Sequence, residues 1–187
     1  MIAVPTAAQR ESARLQVRQA LRELLAQVLE RELHTISIDN QRGQAPQIFL
    51  DGVPQAFGCS FSYTDHTALA ALHLHGAVGV DMMLPSEMPD WQAVAHDYLG
   101  PSVAATLAAT PPAQRARAFS DAWCALEATL KCHGEALSEW HAARSGAALH
   151  AALTIAPLCA SLSPAACNLP QVALEASAHL VWQIRLY

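Results

Sequence analysis

From Ala7 to Leu33 the apolar positions Leu15, Leu21, Leu24, Leu25, Val28 and Leu29 return at helical spacing, with no internal Gly or Pro. The pattern predicts one long amphipathic helix. HTISID then alternates and is rich in β-branched residues, and Gly43 and Pro46 break the chain before QIFL, so two short strands follow. DGVPQAFG is turn chemistry. CSFSY and TALAALHLHGAVGVDMM read as a hairpin that turns at Gly76 and ends at Asp81. After the loop LPSEMPD, Asp90 or a neighbour caps a short helix through Leu99, closed by Gly100 and Pro101, and SVAATLAA forms a second helical piece ending at Thr110. Pro111 and Pro112 open a strong helix from Ala113 to His133, and Gly134 closes it. Strand-like runs ALHAALTIAP, PQVALEAS and HLVWQIRLY complete the chain.

Helix followed by strands thus occurs twice, which predicts one compact body of two halves, residues 1–84 and 85–187. The 187 residues suit such a body better than two independent domains. With 52% hydrophobic and 14% charged residues the chain has ample material for a core and none of the signature of disorder. A net charge of -5 disfavours nucleic acid as a main partner, because neutralising phosphates takes a basic face. The best local basic feature is Arg10, Arg14, Arg18 and Arg22, one ridge of the first helix, whose plain alternative is a solvated face. The absence of a long uncharged apolar run predicts no membrane span and a cytoplasmic protein, and five cysteines without C-x-x-C spacing read as reduced thiols.

Three residues suggest chemistry. Asp81 ends an apolar run and is followed by Met82, Met83 and Leu84, so its charge needs a partner or a cleft. Its plain alternative is a turn aspartate. Glu127 and Lys131 stand one turn apart on one helix face, which by itself is a surface ion pair. Together, Asp81 and Glu127 are the donor set that magnesium takes beside a diphosphate, and Lys131 is a cation for charge developing on phosphate.

GVD at Gly79 to Asp81, then W-x-x-x-E-x-x-x-K at Trp123, Glu127 and Lys131 followed by Gly134, resembles the 4'-phosphopantetheinyl transferases. The arginine-bearing first helix, GQAPQI and FSYT before GVD resemble that family's order of motifs, and the likeness covers roughly residues 10–137. The resemblance implies an α/β (α+β) fold of two pseudo-twofold halves, each a helix on a small, mostly antiparallel sheet, with coenzyme A between them. It implies magnesium-dependent transfer of the phosphopantetheine arm of coenzyme A to a serine of an acyl or peptidyl carrier protein, releasing adenosine 3',5'-bisphosphate. Asp81 and Glu127 then fall on the metal ligands, Glu127 also helps deprotonate the carrier serine, and Lys131 contacts phosphate. Ser62, Thr64 and His66 line the nucleotide end, with Arg14 as a phosphate contact. Two halves in one chain make a monomer sufficient.

The departures matter too. Larger members read GVDxE, W-x-x-K-E and an S-H pair, whereas this chain has Met83, Leu126 and Asp65 at the corresponding positions. The Asp, Glu and Lys set that remains resembles that of the small trimeric holo-carrier-protein synthases. The alternative is a catalytically degenerate homologue that binds coenzyme A or a carrier protein as a regulatory or scaffold module.

Other signals are weaker. His73 and His75 alternate on a strand but lack a third ligand at zinc spacing, and Ser60 and Ser62 lack a G-x-S-x-G setting. Cys124 and Cys132 read as packing thiols. Met82, Met83, Leu84 and Met88 form a soft segment that reads as core or, alternatively, as a docking surface for a carrier-protein helix.

Overall fold

The computed structural model describes residues 7–39, 44–64, 67–142, 171–174 and 179–185. Helix α1 (Ala7–Val28) leads through a 3-10 turn at Leu33–Thr35 into a small antiparallel sheet of β1 (Ile36–Asp39), β2 (Gln47–Leu50) and β3 (Val53–Pro54). The buried stripe of α1 is Ala13, Val17, Leu21, Leu24 and Leu25, while Leu15 and Val28 are exposed. Leu15 falls on the opposite side of the helix from Val17, so apolar character alone misassigned it; phase with Leu21 and Leu25 decides burial. Arg22, on the expected basic ridge, turns inward: its guanidinium donates to the carbonyls of Ile36 at 2.8 Å and Leu33 at 3.1 Å and fixes how β1 leaves α1. Between β2 and β3, Asp51 and Gly52 both take positive φ, the backbone that a tight Asp-Gly hairpin turn requires.

The main sheet has the order β4-β5-β7-β6, all antiparallel, with β4 (Gly58–Tyr63), β5 (Thr67–His73), β6 (Gln171–Leu174) and β7 (His179–Arg185). The β4–β5 turn falls after Tyr63 rather than at Gly76, because pairing Ser62 with Leu69 and Ser60 with Ala71 keeps Cys59, Phe61, Ala70 and Leu72 together on the face that α1 covers. The C-terminal strands β6 and β7 join the N-terminal hairpin along β5, so strands from both ends of the chain share one sheet. The expected strand ALHAALTIAP lies outside the described residues.

The chain beyond Gly76 is not the second arm of a hairpin. Val78 to Met82 instead crosses the other face of the main sheet as a strap, packing Val78, Val80 and Met82 on Leu69 and Ala71. Ser60 and Ser62, adjacent on that face, accept the backbone N–H groups of Val80 at 3.1 Å and Met82 at 3.0 Å. Two hydroxyls of the sheet face thus accept these strap N–H groups.

The helical part follows: α2 (Trp91–Val94), continued by a π-type turn over Ala95–Leu99, then α3 (Pro101–Ala109) and α4 (Pro112–His133). The side chain of Asp90 caps nothing at the start of α2. Gly100, at φ 88, ends the π turn with its N–H on Ala95 O, and the Trp140 indole lies where its side chain would be. At the end of α4, Gly134 takes φ 68, with Glu135 N on Leu130 O and Gly134 N on Lys131 O, the bond pair that closes a helix at glycine. No helix among the described residues is long and apolar enough to cross a membrane.

The strap passes so close to α4 that a Cβ on Gly79 would collide with the carbonyl of Ala128 and crowd Cys132 N. Both are backbone atoms, which cannot rotate away. Gly79→Ala is expected to destabilise the protein by roughly 3 kcal/mol or more in denaturant unfolding, the high end of overpacking costs.

Candidate functional site

The site forms where the strap meets α4. The close passage at Gly79 brings Asp81 against the helix, and its carboxylate is buried. A buried carboxylate needs donors. Ser62 Oγ donates to Asp81 Oδ1 at 3.0 Å, and Lys131 Nζ reaches the same oxygen at 2.6 Å. Lys131 also donates to Val80 O at 3.2 Å, so two of its three ammonium protons are placed within the strap. Its ion pair is with Asp81, not with Glu127 one turn earlier. The surface-pair interpretation of the ExxxK spacing is therefore wrong for this helix.

Glu127 lies beside this pair, half buried. Burial and the neighbouring Asp81 charge push its carboxyl above the ordinary 4.5, and the Lys131 cation only partly opposes them. Cys124, one turn before Glu127 on the same face, completes the surroundings. Burial and the Asp81 carboxylate, to which its thiol is hydrogen-bonded, push it up to about 12, so it is an inert thiol that helps hold Asp81. Spacing signals this residue: Cys124, Glu127 and Lys131 stand at i, i+3 and i+7, one stripe of a helix.

The structure thus brings Asp81, Glu127 and Lys131 together and adds Ser62 to them. Ser62 is buried, and its hydroxyl bonds Asp81 and Met82. Arg14 lies elsewhere: it is exposed, 3.5 Å from Glu11, on the helix that covers the opposite face of the main sheet. Its charge and that of Arg18 act on Tyr63, at the end of β4 next to Thr64. Burial outweighs both arginines and pushes the Tyr63 phenol up to about 12. Tyr63 Oη and Arg18 Nε are buried without a hydrogen-bond partner among the described residues, so this strand end offers two unused donors beside cationic charge. Sequence reading did not single out Arg18 or Tyr63 individually. His66 and Asp65 lie outside the described residues.

Asp81 and Glu127 fit a divalent cation. Their charges disfavour one another, which a shared cation reverses, and their ligand atoms are the hard oxygens that magnesium takes. Among the described residues no three His, Cys, Asp or Glu side chains gather as a metal cage. A cation here would rest on two carboxylates and draw its other ligands from water and substrate, as magnesium does at phosphate sites. Met83 packs in an apolar cluster with Ala95, Leu107 and Phe119.

Residues 77–164, just under half of the chain, match the family model of the 4'-phosphopantetheinyl transferase superfamily. The match spans the strap and all of α4, and so contains Asp81, Glu127 and Lys131. No curated protein gives a significant match to the chain.

Because the folded state raises the Glu127 pKa, its stabilising contribution is complete below the unfolded value and is lost as pH rises through the folded one. Glu127→Gln is therefore expected to raise the melting temperature at pH 7, with the gain disappearing below about pH 4.5 in a pH series of thermal melts. Ser62→Ala and Ser60→Ala each leave a strap N–H without its acceptor, and each is expected to cost roughly 1–3 kcal/mol in denaturant melts.

Proposed function

We propose that this chain, which carries a domain of the 4'-phosphopantetheinyl transferase superfamily at residues 77–164, moves the 4'-phosphopantetheine arm of coenzyme A onto a serine of an acyl or peptidyl carrier protein. The observation that carries this reading is the convergence of Asp81 and Lys131, fifty residues apart in sequence, beside Glu127. Two acids and one cation around a single point are what transfer from a diphosphate requires.

In the reaction the carrier serine oxygen attacks the phosphorus that bears the pantetheine arm. A new serine O–P bond forms, the bond to the bridging oxygen breaks, and that oxygen leaves with the electron pair as part of adenosine 3',5'-bisphosphate. Asp81 and Glu127 would hold magnesium, which neutralises charge on the diphosphate when bound. Glu127, whose proton affinity is raised by burial and by Asp81, takes the serine proton directly or through water. The third proton of the Lys131 ammonium, beyond those placed on Asp81 and Val80 O, is left for phosphate. Ser62 acts through Asp81, since its hydroxyl locks the carboxylate oxygen that Lys131 also holds. Arg14 and Arg18, whose charges act on Tyr63, and Thr64 next to it would supply the corner for the phosphates at the nucleotide end.

A second reading has its own support. Lys131 already neutralises Asp81 at 2.6 Å, and Met83 is committed to the apolar cluster, an arrangement that also suits a homologue that binds coenzyme A or a carrier without turning over. Intact-mass spectrometry of apo carrier proteins incubated with the protein and coenzyme A separates the two. A magnesium-dependent gain of one phosphopantetheinyl group is expected, with Glu127→Gln reducing the rate at least about a hundredfold. Coenzyme A binding without any mass gain on a panel of carriers would establish the binding module instead.

A further inference from the structure

Lys131 is the one lysine in the 187 residues, beside ten arginines. Two of those arginines brace carbonyls: Arg22 those of Ile36 and Leu33, and Arg115 those of Leu107 at 3.1 Å and Thr110 at 3.0 Å. A guanidinium suits such fixed bracing, because its planar fork commits it to one geometry. An ammonium is a compact point charge on a flexible stem with three rotatable donors, and it can exchange one oxygen for another.

What Lys131 holds is an oxygen that a divalent cation would take. Its Nζ lies 2.6 Å from Asp81 Oδ1, which also accepts Ser62 Oγ at 3.0 Å, and Cys124 donates its thiol to the same carboxylate. Three donors leave that carboxylate little capacity for a further cation. The charges point the same way. With both acids ionised, Asp81, Glu127 and Lys131 sum to one negative charge, so a doubly charged ion entering alone would leave two cations side by side and a net positive site. The diphosphate of coenzyme A restores the balance and offers the ammonium another oxygen. The Lys131 side chain is 32% exposed and borders a cavity of about 290 Å³ with Gly58, Ala77 and Val78, so its head can leave Asp81 without unpacking the core.

We infer that Lys131 competes with magnesium for Asp81, holding the carboxylate until a diphosphate draws the ammonium away, so that the metal enters with coenzyme A rather than before it. This rests on the transferase reading given above. Lys131 then has two positions, one on Asp81 and one on phosphate, and the ion pair in the structure is the first of them. Linkage makes the effect reciprocal: whatever coenzyme A adds to magnesium affinity, magnesium adds to coenzyme A affinity.

The test is calorimetric titration of magnesium into the full chain with and without saturating coenzyme A, repeated with Lys131→Gln, which keeps a donor and removes the charge. Without coenzyme A, Lys131→Gln is expected to bind magnesium at least about tenfold more tightly than the unaltered protein, and the gain conferred by coenzyme A should shrink by a similar factor. A Lys131 that serves only as a phosphate contact would weaken coenzyme A binding in the variant and leave its magnesium affinity without coenzyme A unchanged, which would overturn the inference. The lone lysine also permits a readout in the unaltered protein. Carbon-labelled lysine gives a single Cε resonance, which saturating magnesium alone should move toward the position of a solvated lysine. A resonance unmoved at saturation would overturn the inference even if the variant failed to fold. In either case a magnesium-dependent mass gain on a carrier protein would leave the transferase reading standing. No binding of coenzyme A, with or without magnesium, would overturn both.

Discussion

The buried charge of Asp81 is the constraint around which the rest is arranged. A carboxylate with so little exposure is tolerable only when donors surround it, and here they come from three parts of the chain: Ser62 on β4, Lys131 on α4 and the thiol of Cys124. Each donor is correctly placed only if the sheet, the strap and the helix have all assembled. The ion pair is therefore less a source of stability than a register mark, joining a strap to a helix fifty residues later. Gly79 works in the same direction, since its missing side chain lets the strap approach the backbone of α4.

The same arrangement sets the electrostatics of Glu127. Holding one oxygen of Asp81 with both a hydroxyl and an ammonium leaves Glu127 as the acid of this group that has no ion pair among the described residues. Burial and repulsion from Asp81 then raise its proton affinity, the condition under which a carboxylate accepts a proton or shares a cation. At this residue the fold bears an unfavourable charge.

Ser60 and Ser62 illustrate how side-chain hydroxyls can hold a segment against a sheet face. Both look like ordinary polar positions of an alternating strand, and one of them sits where a nucleotide contact was expected. In the fold their hydroxyls accept the N–H groups of Val80 and Met82. The sheet face turned to the strap thus needs hydrogen-bonding side chains, while the face under α1 is apolar, with Cys59, Phe61, Ala70 and Leu72. The thiol of Cys59 on that inner face is pushed up to about 12 by burial, as expected for a cysteine used as a small apolar residue.

Local pattern determined a good deal of this protein. The span and closure of α4, the Asp-Gly turn after β2, and the likeness of the segment around Asp81, Glu127 and Lys131 to the family model that matches residues 77–164 were all legible, because helix periodicity, turn chemistry and a spaced motif are short-range properties. Which side of α1 is buried, and that Arg22 is a structural clamp rather than part of a basic ridge, depended on what packs against the helix. So did the strap: GAVGVD has the composition of a strand, but it crosses the face of the main sheet, held there by the serines on β4 and close to the backbone of α4. The same holds for the partner of Lys131. Sequence spacing offered Glu127, one turn away, but an ammonium on a long stem goes to the most buried carboxylate in reach, and only the tertiary fold placed Asp81 there.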